Sequence, residues 1–195
     1  MTTSGTAASG LTRRQAELLD QLERLFLREG FARFTLDELA VRLHCSKSTL
    51  YALAGSKEQL ALRVVRHFFR KATDAVEAQT VRESDPALRV VAYLSAVARA
   101  LAPAGPAFHR DLDAFPPGKE TYERNTALAA DRVRELIADG VAQGRFREVH
   151  PALIADTVTT LMLRIGRGET GRATGLDDAA AYRELAALLL HGISL

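Results

Sequence analysis

Apolar residues recur with a helical period along almost the whole chain. Positions 36, 39, 40 and 43 are all Leu or Ala, so they fall on one face of a short helix. We find no segment in which apolar and polar residues alternate over the length of a strand. The pattern therefore predicts an all-α protein of about nine helices, which span residues 12–29, 36–43, 47–54, 57–79, 86–101, 108–114, 121–143, 151–166 and 177–193.

Polar residues mark the starts of the short helices in the first third of the chain. Thr35 lies just before the first apolar stripe and Glu38 follows three positions later, which is the arrangement of a capping box. Ser46 is placed to cap the next helix. Breaks are expected at the Pro- and Gly-rich segments 103–106 and 116–118, and a flexible connector at the glycine-rich segment 166–175.

The segment 35–60 contains two short helices joined by a tight turn, followed by the start of a longer helix. The second short helix carries small or hydrogen-bonding groups and one cation, Lys47, on the face opposite its apolar residues. Two short helices joined by a three-residue turn, with a polar face on the second, are typical of a helix-turn-helix. We therefore predict that this segment reads DNA.

The same residues resemble the DNA-binding domain of the TetR/AcrR-type repressors over about residues 11–60. The likeness is carried by Gly30-Phe31, Thr35-Leu36, Leu39-Ala40, Ser46-Lys47, Thr49-Leu50-Tyr51 and Ser56-Lys57-Glu58. His44 stands where Gly is common in the family, at a turn position expected to need a positive φ, which His tolerates better than most residues. Cys45 replaces a usual Val, and Ala52 and Ala54 replace the usual aromatic residues after Tyr51.

The resemblance implies which residues contact DNA. We expect base edges or flanking phosphates to be approached from the N-terminal half of the recognition helix, where such motifs usually read. A lysine at position 57, in the first turn of the long helix, is unfavourable for the helix dipole, so a phosphate partner would explain it; the alternative is an ordinary surface lysine. The predicted DNA-binding residues are Ser46, Lys47, Ser48 and Thr49 for reading, and Thr35, Tyr51 and Lys57 for the backbone.

The C-terminal part resembles the regulatory half of the same family, more in architecture than in motifs. In that family the last two helices pair with those of a second subunit as a four-helix bundle. Here both helices are rich in Ala, Leu and Thr, and small residues let helices approach closely. We expect a homodimer and a palindromic operator; the alternative is that both helices close the monomer core. The predicted interface residues are Ile154, Val158, Leu161, Ile165, Tyr182, Leu185 and Leu189.

Large side chains concentrate between residues 57 and 143, and they predict an apolar, aromatic or lipophilic effector in the regulatory half. Apolar walls with a few hydrogen-bonding groups are the usual make-up of a ligand pocket. The short helix 108–114, held between two breaks, is expected to act as a gate. The alternative is that the rings only fill a core. The predicted ligand-binding residues are Phe68, Tyr93, Phe108, His109, Phe115, Tyr122 and Asn125.

Composition narrows the classes of protein to which this chain can belong. The chain has 195 residues, a net charge of +2 and one cysteine, which excludes a polybasic arm and an intrachain disulfide framework. The N-terminus lacks a signal pattern and no apolar run is long enough to span a bilayer, so we expect a cytoplasmic protein without a membrane partner. We expect a disordered tail at 1–11, a three-helix DNA-binding domain at 12–56 and a regulatory and dimerisation domain at 57–195.

Candidate catalytic and metal-binding chemistry is sparse. The five histidines lie on separate elements, and His109 with Asp111 and Asp113 is the best candidate for a metal or acid–base group; a polar pocket wall is the alternative. Cys45 as a redox sensor is a further hypothesis. We predict no catalytic residue, no metal site and no cofactor.

The sequence as a whole favours a homodimeric transcriptional regulator. The leading prediction is a repressor that leaves its operator when a small apolar ligand binds. The alternative is a ligand-independent DNA-binding protein whose C-terminal half is a protein-interaction surface. A DNA footprint that disappears when a ligand is added would separate the two.

Overall fold

The computed structural model describes residues 11–194, and this part of the chain is all α-helical, as predicted. The one departure from helix and loop there is an isolated antiparallel bridge between Phe146 and Ser194. Apart from Leu11, the predicted N-terminal tail lies outside the described residues. The helices are α1 Arg13–Glu29, α2 Leu36–Arg42, α3 Lys47–Tyr51, α4 Lys57–Thr80, α5 Pro86–Leu101, α6 Pro106–Asp113, α7 Pro116–Ala142, α8 Pro151–Gly166, α9 Glu169–Thr174 and α10 Asp178–Ile193.

Capping residues fix the starts of the helices. The Thr35 hydroxyl accepts from the Glu38 amide at 3.2 Å, and the Glu38 carboxylate accepts from the Thr35 amide at 2.7 Å. This reciprocal pair satisfies two amides that have no partner within the helix. The Asp85 carboxylate accepts from two backbone amides at the start of α5, and Pro86 occupies the first helical position.

Three predicted boundaries are wrong. The segment Pro116-Pro117-Gly118 begins α7 instead of interrupting the helix. Backbone amides in the first turn have no acceptor within the helix, so the missing amide of proline costs no hydrogen bond there. The glycine-rich segment expected to be a connector contains α9, Glu169–Thr174, which makes ten helices in residues 11–194. The recognition helix α3 ends at Tyr51, where a turn replaces its predicted continuation to Ala54.

The first of two hydrophobic cores unites α1 to α3 with the beginning of α4. Leu50 of α3 and Leu22 of α1 are fully buried in it. Phe108 of α6 also belongs to this core, as does Tyr122 of α7. The DNA-binding unit therefore continues into the regulatory half without a polar gap.

The second core lies among the helices of the regulatory half. It joins α5, α7, α8 and α10 with the C-terminal part of α4. Short α9 packs against α8 and α10. Within residues 11–194, no helix taken alone has the length and apolar composition needed to cross a bilayer; α5 and α6 meet that test only as a pair, which is bent by 88°.

Candidate nucleic-acid interface and effector cavity

The predicted reading residues come together at the start of α3. Ser46 caps the helix by accepting from the Thr49 amide at 3.2 Å. Its hydroxyl also hydrogen-bonds the hydroxyls of Ser48 at 2.7 Å and Thr49 at 2.8 Å. Ser46, Lys47 and Ser48 are exposed, Thr49 is half-buried, and Tyr51 is exposed at the end of the helix. This edge offers the hydroxyl donors and acceptors that base edges and phosphates bind.

The turn before α3 has the backbone that the sequence predicts. His44 has a φ of +49°, a left-handed conformation that few residues with a side chain adopt. Leu50 and Leu53 are buried beneath α3 and hold it against the first core. The short recognition helix is therefore positioned by packing on one side, which leaves its polar side exposed.

The two lysines proposed to contact DNA already have partners within the chain. Lys47 pairs with Asp37 of α2 at 2.6 Å, and this hydrogen bond raises the pKa of Lys47. The Lys57 ammonium donates to the backbone carbonyl of Ala32 at 2.7 Å, which explains a cation in the first turn of α4 without invoking a phosphate. Both lysines would have to share or exchange these partners when DNA binds.

A cavity of about 130 Å³ lies between α4, α5, α7 and α8. Tyr93, Tyr122 and Asn125, three of the predicted ligand-binding residues, line it. Sequence reasoning missed other lining residues because their orientation depends on packing: Phe69, Glu77, Arg132, Thr159 and Met162.

The other predicted ligand-binding residues lie elsewhere, which corrects the predicted set. Phe108 is fully buried and packs edge-on against Phe31 and Phe68, so these rings fill the first core. Phe115 also stacks edge-on against Phe31. His109 lies between Phe108 and Tyr122, and its burial lowers the pKa of the imidazole. For Phe68, Phe108, His109 and Phe115, the core-filling alternative describes the packing better.

Most of the predicted interface residues also face the core of their own chain. They are between 1% and 8% exposed in the second core, so a second subunit cannot reach them without opening it. Ile154 and Leu161 are half-buried. The exposed apolar side chains of α8 and α10 are Leu153 and Leu188 instead. The predicted interface residues that are buried in the second core are Val158, Ile165, Tyr182, Leu185 and Leu189.

Comparisons with known proteins identify the class of the N-terminal unit. Residues 18–64, which include α2, α3 and the turn at His44, match the family model of bacterial regulatory proteins of the tetR family. The chain is also 25% identical over 175 residues to the uncharacterised HTH-type transcriptional regulator YfiR of Bacillus subtilis (strain 168); the match covers 87% of this chain and 84% of that protein. Residues 18–64 therefore form a DNA-binding domain of the TetR type.

Solved structures show that the likeness in fold extends over nearly the whole chain. A transcriptional regulator from Saccharomonospora viridis, solved in complex with choline, is 19% identical with a TM-score of 0.78, over 93% of this chain and 98% of that chain. PfmR, a TetR family regulator from Thermus thermophilus, is 22% identical with a TM-score of 0.70, over 89% of this chain and 97% of that chain.

Helix α6 makes direct hydrogen bonds to the DNA-binding unit. The Asp111 carboxylate accepts from the backbone amides of Phe31 at 2.6 Å and Ala32 at 2.8 Å. The Gly105 amide donates to the carbonyl of Leu27 at 2.8 Å. The Asp111 carboxylate is thus bound to the turn that follows α1, which argues against the candidate metal or acid–base group with His109. No pattern in the sequence signals this contact, because its residues lie 80 positions apart.

An ionic network forms a second link, between α1 and α4. The Lys71 ammonium donates to Asp20 at 3.0 Å and to Glu23 at 2.9 Å, and His67 lies 3.0 Å from the same Asp20 oxygen. The hydrogen bond from His67 and the pairing with Lys71 lower the pKa of Asp20. Asp20, Glu23 and His67 are close enough to hold a metal ion, yet the Lys71 cation already binds one oxygen of each carboxylate. We interpret the group as a structural network.

Proposed function

We propose that this TetR-type regulator is a cytoplasmic homodimer that occupies a palindromic operator and is released when a small apolar effector fills the cavity. The proposal rests above all on the position of that cavity. Its walls include Phe69 of α4 and Tyr122 of α7, both of which belong to the core that holds the DNA-binding unit. A ligand that moves these walls therefore acts on the packing of the reading head.

A second route from the cavity runs through α6. The Tyr122 ring lies 6.4 Å from the His109 ring, and Phe108 packs against Phe31. Asp111 on the same helix binds the amides after α1. A shift of α6 would change the tilt of α1, and with it the separation of the two recognition helices of a dimer. For release, the effector must bind the shifted state better; about 1–3 kcal/mol of coupling is typical.

The proposed reading head keeps the residues predicted from the sequence. Ser46, Lys47, Ser48 and Thr49 approach base edges or phosphates, and Thr35, Tyr51 and Lys57 bind the backbone. What supports this is that Ser46, Lys47 and Ser48 are exposed at the start of α3, which is where such helices enter the major groove.

The proposed dimer surface is the solvent face of α8 and α10. Leu153 is 62% exposed and Leu188 is 73% exposed, and Thr157 and Ala187 are small exposed residues near them along their helices. Exposed leucines beside small residues favour the close approach of helices from a second subunit. We propose the division into 12–56 for DNA binding and 57–195 for regulation, with no catalytic role and no cofactor.

An operator-release experiment tests this function. A duplex selected from random sequences by the protein is labelled, and binding is followed by fluorescence anisotropy while apolar compounds that raise the melting temperature are added. The proposal predicts two subunits per duplex and release by at least one stabilising compound. Stabilising compounds that leave the operator bound would support the ligand-independent alternative.

A further inference from the structure

One buried polar group at the cavity has no partner among residues 11–194. Thr159 is 8% exposed, and its hydroxyl oxygen makes no hydrogen bond within this range. Helical threonines commonly donate to the carbonyl four residues earlier. Thr80, Thr121, Thr157 and Thr174 do so here, at 2.8 or 2.9 Å. Thr159 does not, although it lies in the middle of α8.

Thr159 is among the residues that line the cavity. A buried hydroxyl without a partner destabilises the protein, because it has given up its hydrogen bonds to water. A ligand oxygen beside this hydroxyl would restore the missing bond. The position is therefore suited to recognising a single polar atom in an otherwise apolar molecule.

The charged residues of the cavity wall are already paired with each other. Only Glu77 and Arg132 are charged among the lining residues, and the Arg132 guanidinium donates to the Glu77 carboxylate at 3.0 Å. Arg132 also donates to Glu135 at 2.9 Å. A charged ligand would enter an apolar site without a matching unpaired charge, which costs free energy. The rest of the wall is mainly aromatic and aliphatic and includes Phe69 and Met162.

We infer that the effector is a neutral, mainly apolar ketone, ester or alcohol, whose oxygen accepts a hydrogen bond from Thr159. This inference rests on the proposed function, because it names the chemical class of the effector that binds the same cavity. The inferred ligand is neutral, whereas the structural relative from Saccharomonospora viridis was solved with choline, which is a cation.

Three probes of matched chain length test the charge requirement. Binding of methyl octyl ketone, decanoate and decyltrimethylammonium to the full-length protein is measured by isothermal titration calorimetry. The neutral ketone should bind at least about tenfold more tightly than either ion, because neither charge finds a partner. Equal or tighter binding of an ion, or no binding of the ketone, would overturn the inference.

Two valine variants test the role of Thr159. Thr159→Val keeps the shape and removes the hydroxyl, so the ketone should bind roughly threefold to tenfold more weakly. The melting temperature without ligand should rise, because the unpaired hydroxyl is gone. Thr80→Val is the matched control: its buried hydroxyl donates to the Val76 carbonyl and Thr80 does not line the cavity, so its removal should leave ketone affinity unchanged.

The outcomes separate this inference from the proposed function. Unchanged ketone affinity in Thr159→Val overturns the role of Thr159. Tight, Thr159-dependent ketone binding that leaves operator affinity unchanged supports the ligand class and refutes operator release. Operator release by an ion that binds more tightly than the ketone supports the proposed function and overturns the inference.

Discussion

Asp111 should make the largest polar contribution to the contact between α6 and the DNA-binding unit. Its carboxylate accepts from the amides of Phe31 at 2.6 Å and Ala32 at 2.8 Å. A hydrogen bond to a charged group contributes roughly 1.5–3 kcal/mol, and water replaces the acceptor more readily at the exposed Ala32 amide. We therefore expect Asp111→Ala to lower the free energy of unfolding by about 2–4 kcal/mol.

Two further variants make the expected loss specific. Asp111→Asn keeps a neutral acceptor at the same position, so it should lose about half as much, because charge-assisted bonds are roughly twice as strong as neutral ones. Asp113→Ala is the matched control on the same helix. The Asp113 side chain is 51% exposed and its ion partner Arg167 lies 4.0 Å away, so its removal should change stability by less than about 0.5 kcal/mol.

Urea unfolding followed by circular dichroism gives the assay. The free energy of unfolding should fall in the order wild type, Asp111→Asn, Asp111→Ala, with Asp113→Ala close to wild type. An Asp111→Ala variant as stable as Asp113→Ala would refute the structural role of this carboxylate. The same variants report on coupling: an effector should change operator affinity less in Asp111→Ala than in wild type.

Further predictions follow from single positions. Gly30→Ala should destabilise by about 1–3 kcal/mol, because φ is +76° there and a Cβ would clash with the Asp111 carboxylate; thermal unfolding measures this. Lys57→Ala should weaken binding to operator and random DNA alike and reduce the salt slope by about one, and a loss confined to the operator would contradict a phosphate contact. Burial lowers the pKa of His109, so His109 takes up a proton at a higher pH in the unfolded chain than in the folded one, and stability falls as pH drops below about 6.5. His109→Gln should therefore flatten the decline of the urea midpoint between about pH 7 and pH 5.5. An unchanged decline would show that His109 does not cause it. Leu188→Asp should yield monomers in sedimentation equilibrium while Val81→Asp, similarly exposed at the end of α4, leaves dimers; a dimeric Leu188→Asp would place the interface elsewhere.

Local signals in the sequence predicted the local structure well. The capping pair Thr35 and Glu38, the positive φ of His44 and the bounds of α5 and α8 all depend on residues within a few positions of one another. The predicted start of α7 was wrong for a different local reason. Proline and glycine at 116–118 favour a break and also suit a first helical turn, and only packing decides between these outcomes.

Long-range geometry could not be predicted from a single sequence. Helices α8 and α10 each carry apolar residues on more than one side, and the stripe chosen for the dimer is the one that faces the monomer core. Phe68 and Phe69 are adjacent, yet Phe69 lines the cavity between α4 and α8, while Phe68 packs against Phe108. The Asp111 contact joins residues 80 positions apart and has no periodic signature.

The measurement that bears most directly on the central claim is the affinity of the cavity ligand for free and operator-bound protein. If effector binding releases DNA, linkage requires DNA to weaken effector binding by the same factor. We predict that methyl octyl ketone binds the operator complex roughly 5-fold to 150-fold more weakly than the free dimer. The same ketone affinity for the free and the operator-bound protein would contradict the claim that this cavity controls DNA affinity.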